Sequence, residues 1–484
     1  VNFYPTVAEL KNKFVYQLLI AASQVLMPLI TYPYITRVLG PANLGKVNYV
    51  DFLAQIFMIV AAFGIPFYGV REIAMTRNNT LKRGILVKEL ILLQTIIAII
   101  AAALFVLVTF KSWNDRPLLY LLGVCNILIS SFSYEWYIQG MEHFKFAAIR
   151  TVFVRLLMLV CFFMLVNNST DYEVYYGIFS FGMLIIAFMN ATKLARENSF
   201  DGTGISLKKH LAPLWHLFLT SSAISLYVNF DTIILQHLTH DELAVGYYTT
   251  ALKMVKIFLA IIIALSTVLI ARMSFLAGEG KENEIKEKLE KFLQFILVAG
   301  LPVCCGLYLL APEIILLIAG ESFLSAIPLM QALSFLPFII ALSNMFCFQV
   351  LVPFRQERKF LFAAITGCVI SISLNYLLIP SLSAQGAAYA SIATEIAITV
   401  ITGMMAYKII QWRLDKIALV KTIFATLLFI PIVLLSRKLF TSYYIVLAVA
   451  LTVFAILYFI VQHLIFRNVV IQQVKQYIQN LLKS

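Results

Sequence analysis

The sequence predicts an all-α polytopic membrane protein. About fourteen transmembrane helices form two parallel-repeat six-helix lobes around a central cavity, plus an extra helix pair. Three observations predict this. The chain is 61% hydrophobic and only 13% charged over 484 residues, where soluble domains run near 45–50% and about 25%. Apolar runs of about 20 residues, the length that crosses a bilayer, alternate with short charged loops. The pattern of the first half returns in the second.

The expected helices lie near 14–36, 47–69, 84–109, 117–139, 148–167, 172–193, 211–237, 244–271, 291–312, 326–352, 360–380, 385–408, 417–439 and 442–466. The opening run, "PLITYPYITRVLGPANLG" from Pro28, carries two prolines, which are expected to kink helix one and free backbone carbonyls. Leu39-Gly40-Pro41 then ends the helix and turns the chain into helix two. The one long inner loop, Gly278 to Phe292, reads as a charged amphipathic helix lying at the membrane surface as a connector.

Lysine and arginine fix the orientation. Basic residues crowd the loops after helices two, four, six, eight, ten and twelve, for example Arg77, Lys82 and Arg83, or Arg355, Arg358 and Lys359. The other loops hold little beyond Arg37, Lys46, Lys111, Arg116, Arg437 and Lys438. Basic loops face the cytoplasm, so both termini are expected there. The first apolar run lacks a following small-residue cleavage site and is expected to remain as a helix. All outer loops are short.

The repeat is visible in two places. "RVLGPANLGKVNYVDFL" from Arg37 lines up with "QHLTHDELAVGYYTTAL" from Gln236, matching Leu39 to Leu238, Leu44 to Leu243 and Tyr49 to Tyr248. "EHFKFAAI" lines up with "RKFLFAAI", entering helices five and eleven. Each copy has an even number of spans, so both share one orientation, an arrangement that builds a cavity between lobes. The expected division is 1–205, 206–410, and 411–484 for the last helix pair.

Composition excludes several functions. The net charge of +13 sits in the short loops, which is a signature of membrane orientation and not of nucleic-acid binding. No GxxxxGK motif followed by Ser or Thr is present, so no ATPase is built in. Cys125, Cys161, Cys304, Cys305, Cys347 and Cys368 lie inside apolar runs as packing residues. The histidines lack ligand spacing, so no metal or other cofactor is expected.

Charged groups inside the bilayer cost about 2.5–3.5 kcal/mol each on insertion scales, so a chain that keeps several has a use for them. The candidates are Asp51, Glu135, Arg155, Asp231, Lys253, Lys256 and Glu395. Helical spacing groups them with polar neighbours. Asn48, Asp51 and Gln55 share a face of helix two, and Ser131, Glu135 and Gln139 a face of helix four. Gln17, Gln24 and Thr31 recur along helix one, and Ser222, Ser225 and Asn229 along helix seven. Lys253 and Lys256 share a face of helix eight, and Ser391, Glu395, Thr399 and Thr402 a face of helix twelve. These stripes point to a hydrated cavity. Plainer readings stand beside them: Asp231 pairing with Lys253, Glu135 and Arg155 reaching the nearby surface, and Arg37 complementing a helix C-terminus.

The opening segment, with "GIPFYGVREIAMTRNN" from Gly64 and "QGMEHFKFAAIR" from Gln139, resembles the polysaccharide-export flippases of the Wzx type. These belong to the multidrug/oligosaccharidyl-lipid/polysaccharide exporter superfamily, with multidrug extruders and the lipid II flippases. The resemblance implies a non-enzymatic protein of the bacterial plasma membrane. It would move undecaprenyl-pyrophosphate-linked oligosaccharide from the inner to the outer leaflet by alternating access. The cargo and the lipid bilayer are then its partners, with a polymerase and a chain-length regulator of the same pathway as further ones, and no nucleic acid. On that reading Arg37, Arg155, Lys253 and Lys256 are candidates for the pyrophosphate, Arg37 as an outer gate contact. Gln24, Asn48, Gln55, Asn229, Ser391 and Thr399 are candidates for sugar, and Asp51, Asp231 and Glu395 for a coupling ion. The alternatives are a cation-coupled multidrug exporter, which would favour an acidic aromatic cavity, and a membrane polymerase or glycosyltransferase, which would carry a large external loop.

Overall fold

The computed structural model describes residues 7–198 and 205–465, and among them all regular secondary structure is helical. Contacts divide the chain into two units, Val1–Asn229 and Phe230–Ser484.

The first unit begins with α1 (Val7–Ala62), 56 residues long and too long for one crossing. Its backbone leaves helical geometry at Gly40, where φ is 72° and ψ 172°. That region is open essentially to glycine alone, and Pro41 restarts the helix with the fixed φ suited to a first turn. The expected turn is therefore where the sequence puts it. Pro28 and Pro33 both lie inside the helical run, where each withholds a backbone N–H from the carbonyl one turn earlier. Thr31 and Thr36 donate to the carbonyls of Met27 and Tyr32 along this arm.

After α1 come α2 (Ile65–Thr76), α3 (Thr80–Thr109), α4 (Pro117–Ser131), α5 (Glu135–Gly140), α6 (Phe144–Leu165), α7 (Tyr172–Glu197) and α8 (Lys208–Thr239). Two short helices result from left-handed breaks. Phe63 and Gly64 (φ 43° and 75°) separate α2 from α1, and Tyr134 (φ 47°) separates α5 from α4. The second break corrects the expected single helix four, since Ser131 closes α4 while Glu135 opens α5. The released pieces pack closely together. A Cβ on Gly69 would lie 2.8 Å from the Trp136 ring, and one on Gly140 would lie 2.7 Å from Ile73. Ile65, Ile73, Val87, Leu90, Tyr137 and Leu214 form the buried core around them.

The second unit follows with α9 (Glu242–Gly278), α10 (Glu282–Leu309), α11 (Ala311–Ile318), α12 (Ile327–Leu333), α13 (Leu336–Phe346), α14 (Glu357–Leu382), α15 (Ala384–Tyr407), α16 (Lys416–Leu427), α17 (Phe429–Leu439) and α18 (Tyr443–Ile460). The charged segment after Gly278 is not a separate surface helix. It forms the first turns of α10, which runs unbroken for 28 residues and buries Ile285, Leu289, Phe292 and Leu293 in the core. Its heptad-like apolar stripe faces protein, and its charges face out. Asp241 and Asp415 cap α9 and α16 by accepting from two backbone N–H groups each, which satisfies orphan donors at a helix start. Arg437 on α17 clamps Glu313 on α11 through two bonds of 2.7 and 2.8 Å.

Eleven stretches of the described residues are long and apolar enough to cross a bilayer. The first, Ala22–Thr76, contains the helical segments on both sides of Gly40. The helices α8 and α9, 32 and 37 residues long, are additional to the eleven. The expected count of about fourteen passes follows. Large apolar side chains such as Ile99, Leu107, Leu377 and Phe424 remain exposed, as a lipid-facing surface requires.

Candidate functional site

The densest polar site of the second unit is built on Asp231, buried near the end of α8. Four side chains donate to its carboxylate. Ser371 and Asn375, both on α14, reach Oδ1 at 3.1 and 2.8 Å. Tyr248 on α9 reaches Oδ2 at 3.0 Å, and Ser391 on α15 also donates to Oδ2. Tyr248 and Ser391 lie 2.9 Å apart, closing the ring. A carboxylate has about four lone-pair sites, so this one is filled. Hydroxyls and an amide from three helices thus converge on Asp231.

Lys256 stands two turns further along α9 than Tyr248, about 21 Å from Glu242 at 1.5 Å per residue. Asp231 and Glu395 both act on it electrostatically. Glu395, on α15, is buried, and among the described residues its Oε2 has no hydrogen-bond partner. Thr399, on the same helix, donates to the Ile339 carbonyl of α13 at 3.0 Å and so ties two helices together. Lys253 is half-buried on α9. The side chain of Asn229 lies outside the described residues.

In the first unit Asp51 accepts from Gln55 at 2.8 Å and from the buried Tyr176 hydroxyl at 3.3 Å. Asn48 is buried one turn earlier on α1. Arg155 on α6 donates to the Ile20 carbonyl at 3.0 Å and to the Ser23 hydroxyl, so it braces the first arm of α1. Arg37 is exposed and donates to the Pro33 carbonyl at 2.6 Å. Gln24 is exposed and Thr31 is buried, while the side chain of Gln17 lies outside the described residues. Glu135 pairs with the buried Arg150 at 2.7 Å.

Sequence reasoning missed a second buried carboxylate cluster. Glu89 on α3 is fully buried and accepts from Lys209 and from the Ser206 backbone at 2.9 and 2.8 Å. His210 lies 3.0 Å from Glu89 and 2.7 Å from the Tyr68 hydroxyl. The clue was available: Glu89 is an acid inside an apolar run, and Lys209-His210 lies at the start of α8.

These networks are set in a chain with a known pattern. The family profile described as "Polysaccharide biosynthesis protein" matches residues 10–276, more than half of the length. The chain belongs to this polysaccharide biosynthesis protein family. This family member is similar to a protein of Escherichia coli (strain K12) named "Putative O-antigen transporter", 23% identical over 399 residues, covering 81% of this chain and 95% of the relative. A protein of the same name from Shigella dysenteriae is 22% identical over 396 residues, covering 80% and 98%. Among solved structures, the lipid II flippase MurJ in an inward closed conformation superposes with a TM-score of 0.72 at 14% identity, covering 95% of this chain and 99% of MurJ. An inward-facing multidrug resistance MATE transporter gives 0.64 at 15% identity, covering 80% and 94%. The chain thus shares the fold of these two structures.

Proposed function

We propose that this protein is a flippase for undecaprenyl-pyrophosphate-linked oligosaccharide, moving repeat units from the inner to the outer leaflet of a bacterial plasma membrane for surface polysaccharide assembly. Its helices act as two lobes, 1–205 and 206–410, around a cationic cavity that opens alternately to either side. Residues 411–484 add the last helix pair, and both termini are cytoplasmic. The observation that carries this reading is the alignment along 95% of a protein named as an O-antigen transporter.

The physics of the cargo supports it. A diphosphate needs fixed cations and a sugar needs hydroxyls and amides, while the lipid tail stays in the bilayer. Lys253 and Lys256 supply cations midway along a spanning helix; Arg37 and Arg155 are further candidates. Asn48, Gln55, Gln24, Asn229, Ser391 and Thr399 supply sugar contacts. An inside-negative potential favours outward movement of anionic charge, by about 2.3 kcal/mol per charge per 100 mV.

Deleting the gene in its host tests the reading. The expected result is loss of surface polysaccharide with lipid-linked repeat units accumulating on the cytoplasmic leaflet and no change in drug sensitivity. Unchanged polysaccharide with new sensitivity to cationic drugs would favour a multidrug exporter instead.

A further inference from the structure

Two spanning stretches of the second unit, Glu321–Leu351 and Arg358–Leu382, are joined by a tight turn. A π-helical stretch, Cys347–Leu351, follows α13, and the chain then closes in a Schellman motif. The Gln356 N–H donates to the Leu351 carbonyl at 2.8 Å, and the Arg355 N–H to the Val352 carbonyl at 3.0 Å. Such a motif requires a left-handed residue just before its end, which is usually glycine. Here that residue is Arg355, with φ 54°. Glycine would make the same turn without steric cost. The turn by itself therefore gives no reason for a long cationic side chain.

Arg355 lines a cavity of about 540 Å³, inside the range of about 300–1,000 Å³ that small-ligand sites occupy. Ser274, Ala277 and Gly278 at the end of α9 form one wall, and Pro353, Phe354 and Arg355 in the turn form the other. Ala277 and Phe354 pack on the buried core of this unit, so that side is apolar. Ser274 and Arg355 are exposed. Among the described residues no hydrogen bond or ion pair occupies the Arg355 guanidinium. The groups that would repel an anion here are already engaged. At the end of α9, the Leu276 and Ala277 carbonyls accept from Lys281 and Gly280, which blunts the negative end of the helix. Glu279, the acid next to that end, is paired with Lys281 at 2.8 Å.

We propose that this cavity binds the phosphate head of a membrane lipid, with Arg355 as its anchor. A guanidinium presents a planar fork of donors that matches phosphate oxygens, which a single ammonium does not. The Ser274 hydroxyl adds a donor from the α9 side. Ala277, Pro353 and Phe354 give the glycerol and the first methylenes of the tails an apolar seat. Position favours a lipid over a soluble phosphate: one apolar span ends at Leu351 and the next begins at Arg358, so the cavity lies at headgroup level. It is also distinct from the mid-membrane cations. Ser274 follows Lys256 by eighteen residues of the same helix, about 27 Å at 1.5 Å per residue. The site therefore does not depend on the flippase reading.

The test uses the full-length protein in phosphatidylcholine nanodiscs doped with phosphatidylglycerol, and native mass spectrometry counts the lipid kept through delipidation. Wild type is expected to keep phosphatidylglycerol and Arg355→Gly to lose most of it. Glycine suits the left-handed backbone, so this variant is expected to melt no lower than wild type. Gly278→Phe keeps the arginine but places a ring where a Cβ meets open space, and it is expected to lose the lipid as well. Arg358→Ala removes an exposed cation outside the cavity and is expected to keep it. A second set of nanodiscs carries undecaprenyl diphosphate in place of phosphatidylglycerol and identifies the source. Retention that depends on Arg355 for that lipid alone assigns the cavity to a polyprenyl carrier, and for phosphatidylglycerol to a bulk phospholipid. Equal retention of both lipids by wild type and Arg355→Gly overturns the site, as does a loss in Arg358→Ala as large as in Arg355→Gly. Inorganic phosphate held through Arg355 in pure phosphatidylcholine, and not displaced by either lipid, overturns the lipid assignment.

Discussion

The imidazole of His210 sits 3.0 Å from the carboxylate of Glu89, and both side chains are almost wholly buried. The pair fastens the start of α8 to α3, with Lys209 adding a second contact to the same carboxylate. Removing the carboxylate leaves Ser206 N–H, Lys209 and His210 without their shared partner, and each buried polar group so stranded costs about 1–3 kcal/mol. Glu89→Ala is therefore expected to lower the melting temperature of the purified protein sharply. Glu89→Gln, which keeps hydrogen-bonding capacity, is expected to lose less. Equal melting of wild type and Glu89→Ala would remove the anchor from the account.

Asp231 should be equally intolerant. Asp231→Ala removes the shared acceptor of four donors; Ser391 and Asn375 keep backbone acceptors at Ala387 and Ser371, and each donor left without one costs about 1–3 kcal/mol. Tyr248→Phe removes one donor from an acceptor with three others and is expected to cost about 0.5–1.5 kcal/mol. Unfolding measured in detergent should rank wild type, Tyr248→Phe and Asp231→Ala in that order.

Lys256→Ala is expected to abolish surface polysaccharide while leaving the protein at a near-normal level in the membrane. The ammonium has no described hydrogen bond whose loss would unravel the fold. Full polysaccharide assembly in this variant would show that the mid-membrane cation is dispensable.

Gly40→Ala tests backbone conformation apart from packing. Nothing lies within 4 Å of a Cβ at this position, yet φ is +72°. The expected destabilisation is about 1–3 kcal/mol, read from the unfolding midpoint. A neutral result would mean that the turn between the arms of α1 accepts another geometry.

Orientation is open to a labelling experiment. Glu279→Cys sits at the exposed turn between α9 and α10. It is expected to resist an impermeant thiol reagent in intact cells and to react after lysis, because the basic loops face the cytoplasm. Labelling in intact cells would invert the topology.

How far the sequence was legible depended on the kind of signal. Hydropathy runs located the passes because lipid imposes length and apolarity on every one of them. Leu39-Gly40-Pro41 marked a turn because only glycine suits its backbone. The proline pair marked positions where the helix continues with a backbone N–H missing, not positions where it ends. The break before Glu135 was invisible because Phe132-Ser133-Tyr134 carries no glycine or proline, and the left-handed Tyr134 is buried in the core of the unit. In the site, spacing along one helix grouped Ser391 with Glu395. It could not show that Ser391 serves Asp231, because that contact joins residues 160 positions apart. Glu89 carried a local signal, an acid inside an apolar run, but its partners Lys209 and His210 lie 120 and 121 positions further along the chain.

The tight fit between α2 and α5 leaves a trace in descent. Gly69 has no room beside Trp136, nor Gly140 beside Ile73. A lineage that enlarges either glycine survives only if the facing side chain shrinks in step. Among homologues, positions 69 and 136 should therefore mutate as a couple, and positions 73 and 140 as another. The two short helices would carry a heritable record of their contact even where the rest of the unit has drifted beyond recognition.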